Sequence, residues 1–195
     1  MINITLIIGY NMVYLLAYLI GSIQSGHMIS LIFDVKNPYQ HGSGNTGATN
    51  MWRINGISFG LITFFLDFFK VYFTFLLLNV LSVSTTEAIN ASFVVIIGHM
   101  YPAFLLIRGG KGVTCLVAVL SLISILSMIL FVTIWVASLK IIKNVGVASS
   151  IATFCILIIN TQLFHINDAI FPIQVLTTCL IIYKHKLNII EFLSG

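Results

Sequence analysis

The chain has 195 residues, of which 59% are hydrophobic and 7% charged, with a formal net charge of +4 and a mean hydropathy of +1.09. Soluble domains carry roughly 25% charged residues, so this composition excludes a water-soluble globular protein and places most of the chain in hydrocarbon. Long unbroken apolar runs, rather than two-residue alternation, make helices the spanning elements and exclude a β-barrel.

In chain order the apolar runs fall at 3–24, 55–81, 89–107, 113–123, 125–142, 145–160 and 168–183. The first has no basic n-region and no small-residue cleavage site, and reads as a membrane helix rather than a removable signal. A spanning helix needs roughly 20 residues, so the fourth and fifth runs are short. Ser121, Ser124 and Ser127 mark the turn between them. Seven helices are expected, with five as the alternative. With seven, and the N-terminus outside, the inner loops hold Lys36, Arg53, Arg108, Lys111, Lys140, Lys143, Lys184 and Lys186, eight of the nine basic residues. The positive-inside rule then puts 25–53, 108–112, 143–146 and the C-terminus on the cytoplasmic face. No repeat or linker divides the chain, which reads as one helical bundle over 1–195. Cys115, Cys155 and Cys179 lie in apolar runs without CxxC spacing, and the five histidines lack helical metal-ligand spacing. They point to neither a disulfide nor a metal site.

Four stretches could carry chemistry. GSGNTGATNMWR, 42–53, is small, polar and glycine-rich. Its backbone N–H groups can form an anion nest, Ser43, Asn45, Thr46, Thr49 and Asn50 add hydrogen-bonding groups, and Arg53 is expected at the start of the second membrane helix. The alternative is a flexible loop. In GHMYPAFLLIRGGKGV, 98–113, Gly109, Gly110 and Gly112 bracket Lys111, Arg108 precedes them, and a helix is expected to follow. The pattern is not a Walker A loop. His99 lies near the inner end of the third helix and before Pro102, and is either a structural or a site residue. In YKHKLNII, 183–190, Lys184, His185, Lys186 and Asn188 gather at the membrane surface, where lysines also contact lipid headgroups. Asp67 and Lys70 are embedded in an apolar helix at i, i+3 spacing and are expected to pair on one face, facing the bundle interior.

Two basic, glycine-rich loops on one face suit two phosphates. No nucleophile elbow, Ser-His-Asp pattern or Hx₄D motif is present, so chemistry here would rest on positioning and charge stabilisation.

These motifs resemble those of the bacterial acyl-phosphate:glycerol-3-phosphate acyltransferase family, essentially end to end. Residues 42–53 are similar to the family's GSGNxGATNxxR, 98–113 to its GHxxPxFLxFKGGKGVxT, and HKLNIIEFLSG, 185–195, to its HRxNIxRLxxG; LDxxK matches at Asp67 and Lys70, and GSI at 21–23. The resemblance implies an all-α, seven-helix integral membrane protein of the bacterial cytoplasmic membrane. It implies acyl transfer from acyl phosphate to the 1-hydroxyl of glycerol 3-phosphate, giving lysophosphatidic acid and phosphate, without a cofactor. The implied partners are these substrates and the bilayer, not nucleic acid, and the implied state is a monomer. Carried over by position, Arg53, His99, Lys111, His185 and Asn188 are the catalytic candidates. Ser43, Gly44, Asn45, Thr46, Gly47, Thr49, Asn50, Arg108, Gly109, Gly110 and Gly112 would hold phosphate, and Asp67 and Lys70 would support them. In the mechanism suggested for the family, a phosphate oxygen rather than a protein base takes the hydroxyl proton. The acyl tail would lie in an apolar groove open to the bilayer.

The chain departs from the pattern in places. The family's SIPFG is SIQSG here, with Gln24 and Ser25; DxRxxGSGN becomes NPYQHGSGN; and TRYVSLxS aligns with IKNVGVAS, putting Gly146 at a substrate-binding Ser. Lys186 replaces an Arg, and Arg108 replaces a Lys. These changes suggest a divergent paralogue with altered acceptor, or with weakened or lost activity. A carrier or flippase for a phosphorylated lipid or metabolite is a further alternative, disfavoured by outer loops with few polar groups.

Overall fold

The computed structural model describes residues 4–103, 108–163 and 168–194, with side chains from Asn11 onward. The described residues form helices and short connections: α1 (Ile4–Gly21), α2 (Ser25–Ile32), α3 (Ala48–Asn55), α4 (Ile57–Val80), α5 (Thr85–Met100), α6 (Val113–Ile123), α7 (Ile125–Ile142), α8 (Val145–Leu163), α9 (Phe171–Lys184) and α10 (Lys186–Leu193). Three of them, α4, α7 and α8, are long and apolar enough to cross a membrane, and α1 with α2 makes a fourth candidate bent by 46°. The chain is an all-helical integral membrane protein that clusters into two compact units, Met1–Cys115 and Leu116–Gly195.

In the first unit, α1 crosses α5 backbone to backbone. A Cβ at Gly21 would stand 2.3 Å from the Val95 carbonyl oxygen, and one at Gly98 2.3 Å from that of Tyr18. Small residues permit this approach, which is how helices pack in lipid, where the hydrophobic effect does not drive them together. Ser84 caps α5 by accepting the Glu87 N–H at 3.3 Å, and Tyr14 donates to the Glu87 carboxylate.

Two short helices depart from expectation. The first apolar run does not end at 24: the chain breaks at 22–24 and resumes as α2, two turns reaching Ile32. Arg53 does not open the second membrane helix. It lies in the last turn of the separate eight-residue α3, which begins five residues earlier after Gly47. Gly56, at φ +92°, separates α3 from α4. That conformation favours glycine and ends a helix.

In the second unit, the turn expected among the serines falls at Ser124, extended at φ −162°, between α6 and α7. α7 and α8 form a hairpin closed by Lys143 in the left-handed region, φ 56°. Asn144 then caps α8, its Oδ1 accepting the N–H groups of Gly146 and Val147 at 3.0 and 3.2 Å. Inside the hairpin Ser127 donates to Asn160 at 2.6 Å and the Trp135 indole to Ser149 at 3.0 Å. The C-terminal motif, expected past the last membrane helix, lies at the end of α9 and in the separate helix α10.

Candidate active site

The GSGNTGATN loop is built around Asn50, which is 2% exposed. Its Oδ1 accepts the Ser43 N–H at 2.9 Å. Its Nδ2 donates towards the carbonyls of Asn45, His41 and Pro38 at 2.8, 3.1 and 3.2 Å. One amide therefore folds the loop onto the start of α3 and ties in the divergent segment 37–41. Asn45 adds an Asx turn, accepting the Gly47 N–H at 2.9 Å. Gly42 and Gly44 sit at φ +66° and +68°, the left-handed region that glycine occupies without strain. Ser43 and Thr49 are exposed and Thr46 is buried. Burial raises the Tyr39 phenol above its ordinary pKa.

The second loop lies against the first. Asn45 Nδ2 approaches the Gly109 carbonyl at 3.5 Å. A Cβ at Gly44 would stand 3.2 Å from Arg108 Nη1. Lys111 is half-buried, and Gly112 at φ +85° turns the chain into α6. Phe104 and Leu105 of this motif lie outside the described residues.

Beneath the loops is a buried charge cluster. Lys70 Nζ is 3.0 Å from Asp67 Oδ1, so the i, i+3 spacing does produce an ion pair. Ser25 donates to the same oxygen at 2.7 Å. Lys70 also donates to the carbonyls of Gly21 and Ile23, at 3.2 and 3.0 Å, where α1 breaks. Its fourth contact is His99 Nδ1 at 2.9 Å. The same Nδ1 lies 3.5 Å from Asp67 Oδ1, so the imidazole meets both members of the ion pair. Nε2 faces the glycine loop: a Cβ at Gly110 would stand 1.8 Å from it. Asp67 and Lys70 thus hold the imidazole against the GGKG backbone.

One participant appeared in the sequence only as a departure from pattern. Gln24, 2% exposed, reaches both loops. Its Oε1 accepts from Thr46 Oγ1 at 2.7 Å and from the Gly110 N–H at 3.3 Å. Its Nε2 donates to the carbonyls of Ser22 and His99 at 3.3 and 3.2 Å. Among the described residues no group of three or more His, Cys, Asp or Glu is placed to hold a metal.

In the second unit, His185 is buried between α9 and α10, and Nδ1 donates to the Ile181 carbonyl at 2.9 Å. Lys186 is exposed and donates to the Tyr183 hydroxyl at 3.1 Å. Asn188 packs on Gly146: a Cβ at 146 would stand 2.5 Å from both Cβ and Cγ of Asn188. Restoring the family's serine by Gly146→Ser is therefore expected to push α10 from α8, lowering stability by about 1–3 kcal/mol and activity with it. Thermal unfolding in detergent, with a parallel activity assay, checks this. An apolar groove of about 310 Å³ lies between these two helices, lined by Val147, Ser150, Ile151, Phe154, Cys155 and Ile189.

The family model described as glycerol-3-phosphate acyltransferase matches residues 11–195. The chain belongs to the glycerol-3-phosphate acyltransferase family. A glycerol-3-phosphate acyltransferase of Staphylococcus carnosus is 32% identical over 189 residues, 93% of each chain. One from Ehrlichia chaffeensis is 35% identical over 186 residues, 95% of this chain and 94% of that one. The crystal structure of PlsY, an integral membrane glycerol 3-phosphate acyltransferase, in its glycerol 3-phosphate form superposes with a TM-score of 0.85 at 29% identity, covering 96% of this chain and 93% of that one. Its lysophosphatidic acid form gives 0.84. The family's reaction is acyl transfer to glycerol 3-phosphate.

Proposed function

We propose that this acyltransferase takes its acyl group from an acyl phosphate, and that the two glycine-rich loops hold the two substrate phosphates. The contact between the loops, made by Asn45 with Gly109 and by Gln24 with Thr46 and Gly110, carries this reading. It sets two backbone nests side by side, as transfer between two phosphorylated substrates requires. Ser43, Gly44, Asn45, Gly47 and Thr49 offer the polar and backbone groups of one nest, with Thr46 and Asn50 shaping it from beneath. Arg108, Gly109, Gly110 and Gly112 form the other.

Arg53 and Lys111 neutralise phosphate charge. His99, turned towards the second loop and held by the Asp67–Lys70 pair, polarises the site through Nε2. The 1-hydroxyl of glycerol 3-phosphate attacks the acyl carbonyl. Its proton passes to a phosphate oxygen, the bond from carbonyl carbon to phosphate oxygen breaks, and inorganic phosphate leaves. Positioning and charge stabilisation supply the rate. His185 and Asn188 are assigned to the acceptor through their likeness to the family's C-terminal motif, and the groove between α8 and α10 suits an acyl tail. The whole chain acts as one monomeric catalytic domain. The proposed topology has seven spans in the bacterial cytoplasmic membrane, with the N-terminus outside and the basic loops and C-terminus cytoplasmic, as the basic-residue distribution favours.

Lys111→Ala and Arg53→Ala test the site. Each is expected to lower kcat/KM for acyl transfer by about 100-fold or more, the scale for removing a charge-stabilising donor. Wild-type activity in Lys111→Ala would remove the second loop from the site.

A further inference from the structure

Gln24 stands where the family pattern has proline, in a sequence that otherwise keeps both phosphate loops intact. Its environment shows what the change does. Both atoms of the carboxamide are engaged and their polarity is fixed. Flipping the amide would set N–H against the Gly110 N–H and oxygen against two carbonyls, so Oε1 must face the loops. Thr46 belongs to the first loop and Gly110 to the second, and the two hydrogen bonds converge on one oxygen. The third partner, the His99 carbonyl, ends α5 beside the imidazole that faces Gly110. The next residue, Ser25, binds Asp67. The first turn of α2 is pressed against the first loop as well: a Cβ at Gly26 would stand 2.2 Å from the Thr46 carbonyl oxygen. The divergent pair 24–25 therefore ties together both loops, the end of α5 and the charge cluster.

We propose that Gln24 is a positioning residue that sets the distance between the two phosphate loops of this enzyme, through the shared acceptor joining Thr46 and Gly110. It rests on the reading of two loops for two phosphates. Gln24 acts through the two loops it joins. Removing it leaves each loop able to bind its phosphate but loosens their relative placement. The loss then falls on the chemical step, which needs both substrates in register, more than on the binding of either.

The test compares the purified full-length wild type with Gln24→Leu, of similar shape, with Thr46→Val, which deletes only the hydroxyl, and with the double variant. The measurements are kcat, KM for acyl phosphate and for glycerol 3-phosphate, and calorimetric binding of glycerol 3-phosphate with its stoichiometry. Gln24→Leu is expected to lower kcat by about 10- to 100-fold, the effect of misplacing reactants by an ångström or less, with both KM values within about threefold of wild type. Binding stoichiometry stays at the wild-type value, Thr46→Val falls in the same direction, and the double variant is no worse than Gln24→Leu. An unchanged kcat in Gln24→Leu overturns the inference. So does a weakening of glycerol 3-phosphate binding or a rise in KM that accounts for the whole loss, since the effect is then on binding and not on register. Should Gln24→Leu fail to fold, a Thr46→Val variant with wild-type kcat overturns it alone. A wild type that makes no lysophosphatidic acid overturns the functional reading, and this inference with it. An active wild type with an active Gln24→Leu overturns the inference only.

Discussion

Gly110→Ala is expected to abolish acyl transfer, with kcat/KM falling by about 100-fold or more. The added Cβ would stand 1.8 Å from His99 Nε2, 2.4 Å from Cε1 and 2.7 Å from Cδ2. A flexible side chain could swing aside, but this ring cannot do so cheaply. His99 is 3% exposed and its Nδ1 is bonded to Lys70 at 2.9 Å. Either the imidazole leaves Lys70 or the GGKG loop lifts away from α5, and the second choice also breaks the Gly110 bond to Gln24. The first takes the ring out of the buried cluster, and the second moves the glycine loop relative to it. The variant is expected to keep its helical content, which circular dichroism would check alongside the assay. Near-wild-type turnover in Gly110→Ala would mean that the ring and the loop are not in functional contact.

The second large effect is on folding. Lys70→Met leaves the Asp67 carboxylate, 1% exposed, without its cation, and removes the donor to the carbonyls at the break in α1. Breaking a buried ion pair from one side costs about 3–5 kcal/mol, because the remaining charge stays buried without compensation. Thermal unfolding followed by the fluorescence of Trp52 and Trp135 is expected to show a large fall in Tm. The Asp67→Asn/Lys70→Met double variant should recover part of it, since no charge is then left unpaired. Equal Tm values for Lys70→Met and the wild type would show that the pair is not part of the stable core.

The loops, the embedded ion pair and most of the apolar spans were legible in the sequence, because each leaves a local signal. Glycines among small polar residues mark a loop, and charge within an apolar run marks a buried pair. The break between α6 and α7 fell among the serines that marked it. The short helices were not legible. α2, α3 and α10 are eight residues each, too short for an apolar run to declare them. Arg53 was accordingly expected at a helix start and lies in a last turn. Gln24 was the least legible of all. Its role depends on partners 22, 75 and 86 residues away, which no local pattern encodes. Compared with the family pattern it was only a departure, and its four hydrogen bonds make it a joint. Gly146, read as a missing serine, makes room for Asn188 in the fold.

The proposed reaction requires two phosphorylated substrates to meet at the paired glycine loops. The most direct measurement supplies the purified chain, in detergent or bilayer, with glycerol 3-phosphate and one acyl donor at a time, and quantifies lysophosphatidic acid and inorganic phosphate together. The account predicts that acyl phosphate yields the two products in equal amounts, only when glycerol 3-phosphate is present, and that acyl-CoA yields neither. Lysophosphatidic acid formed from acyl-CoA, or phosphate released without dependence on glycerol 3-phosphate, would contradict it.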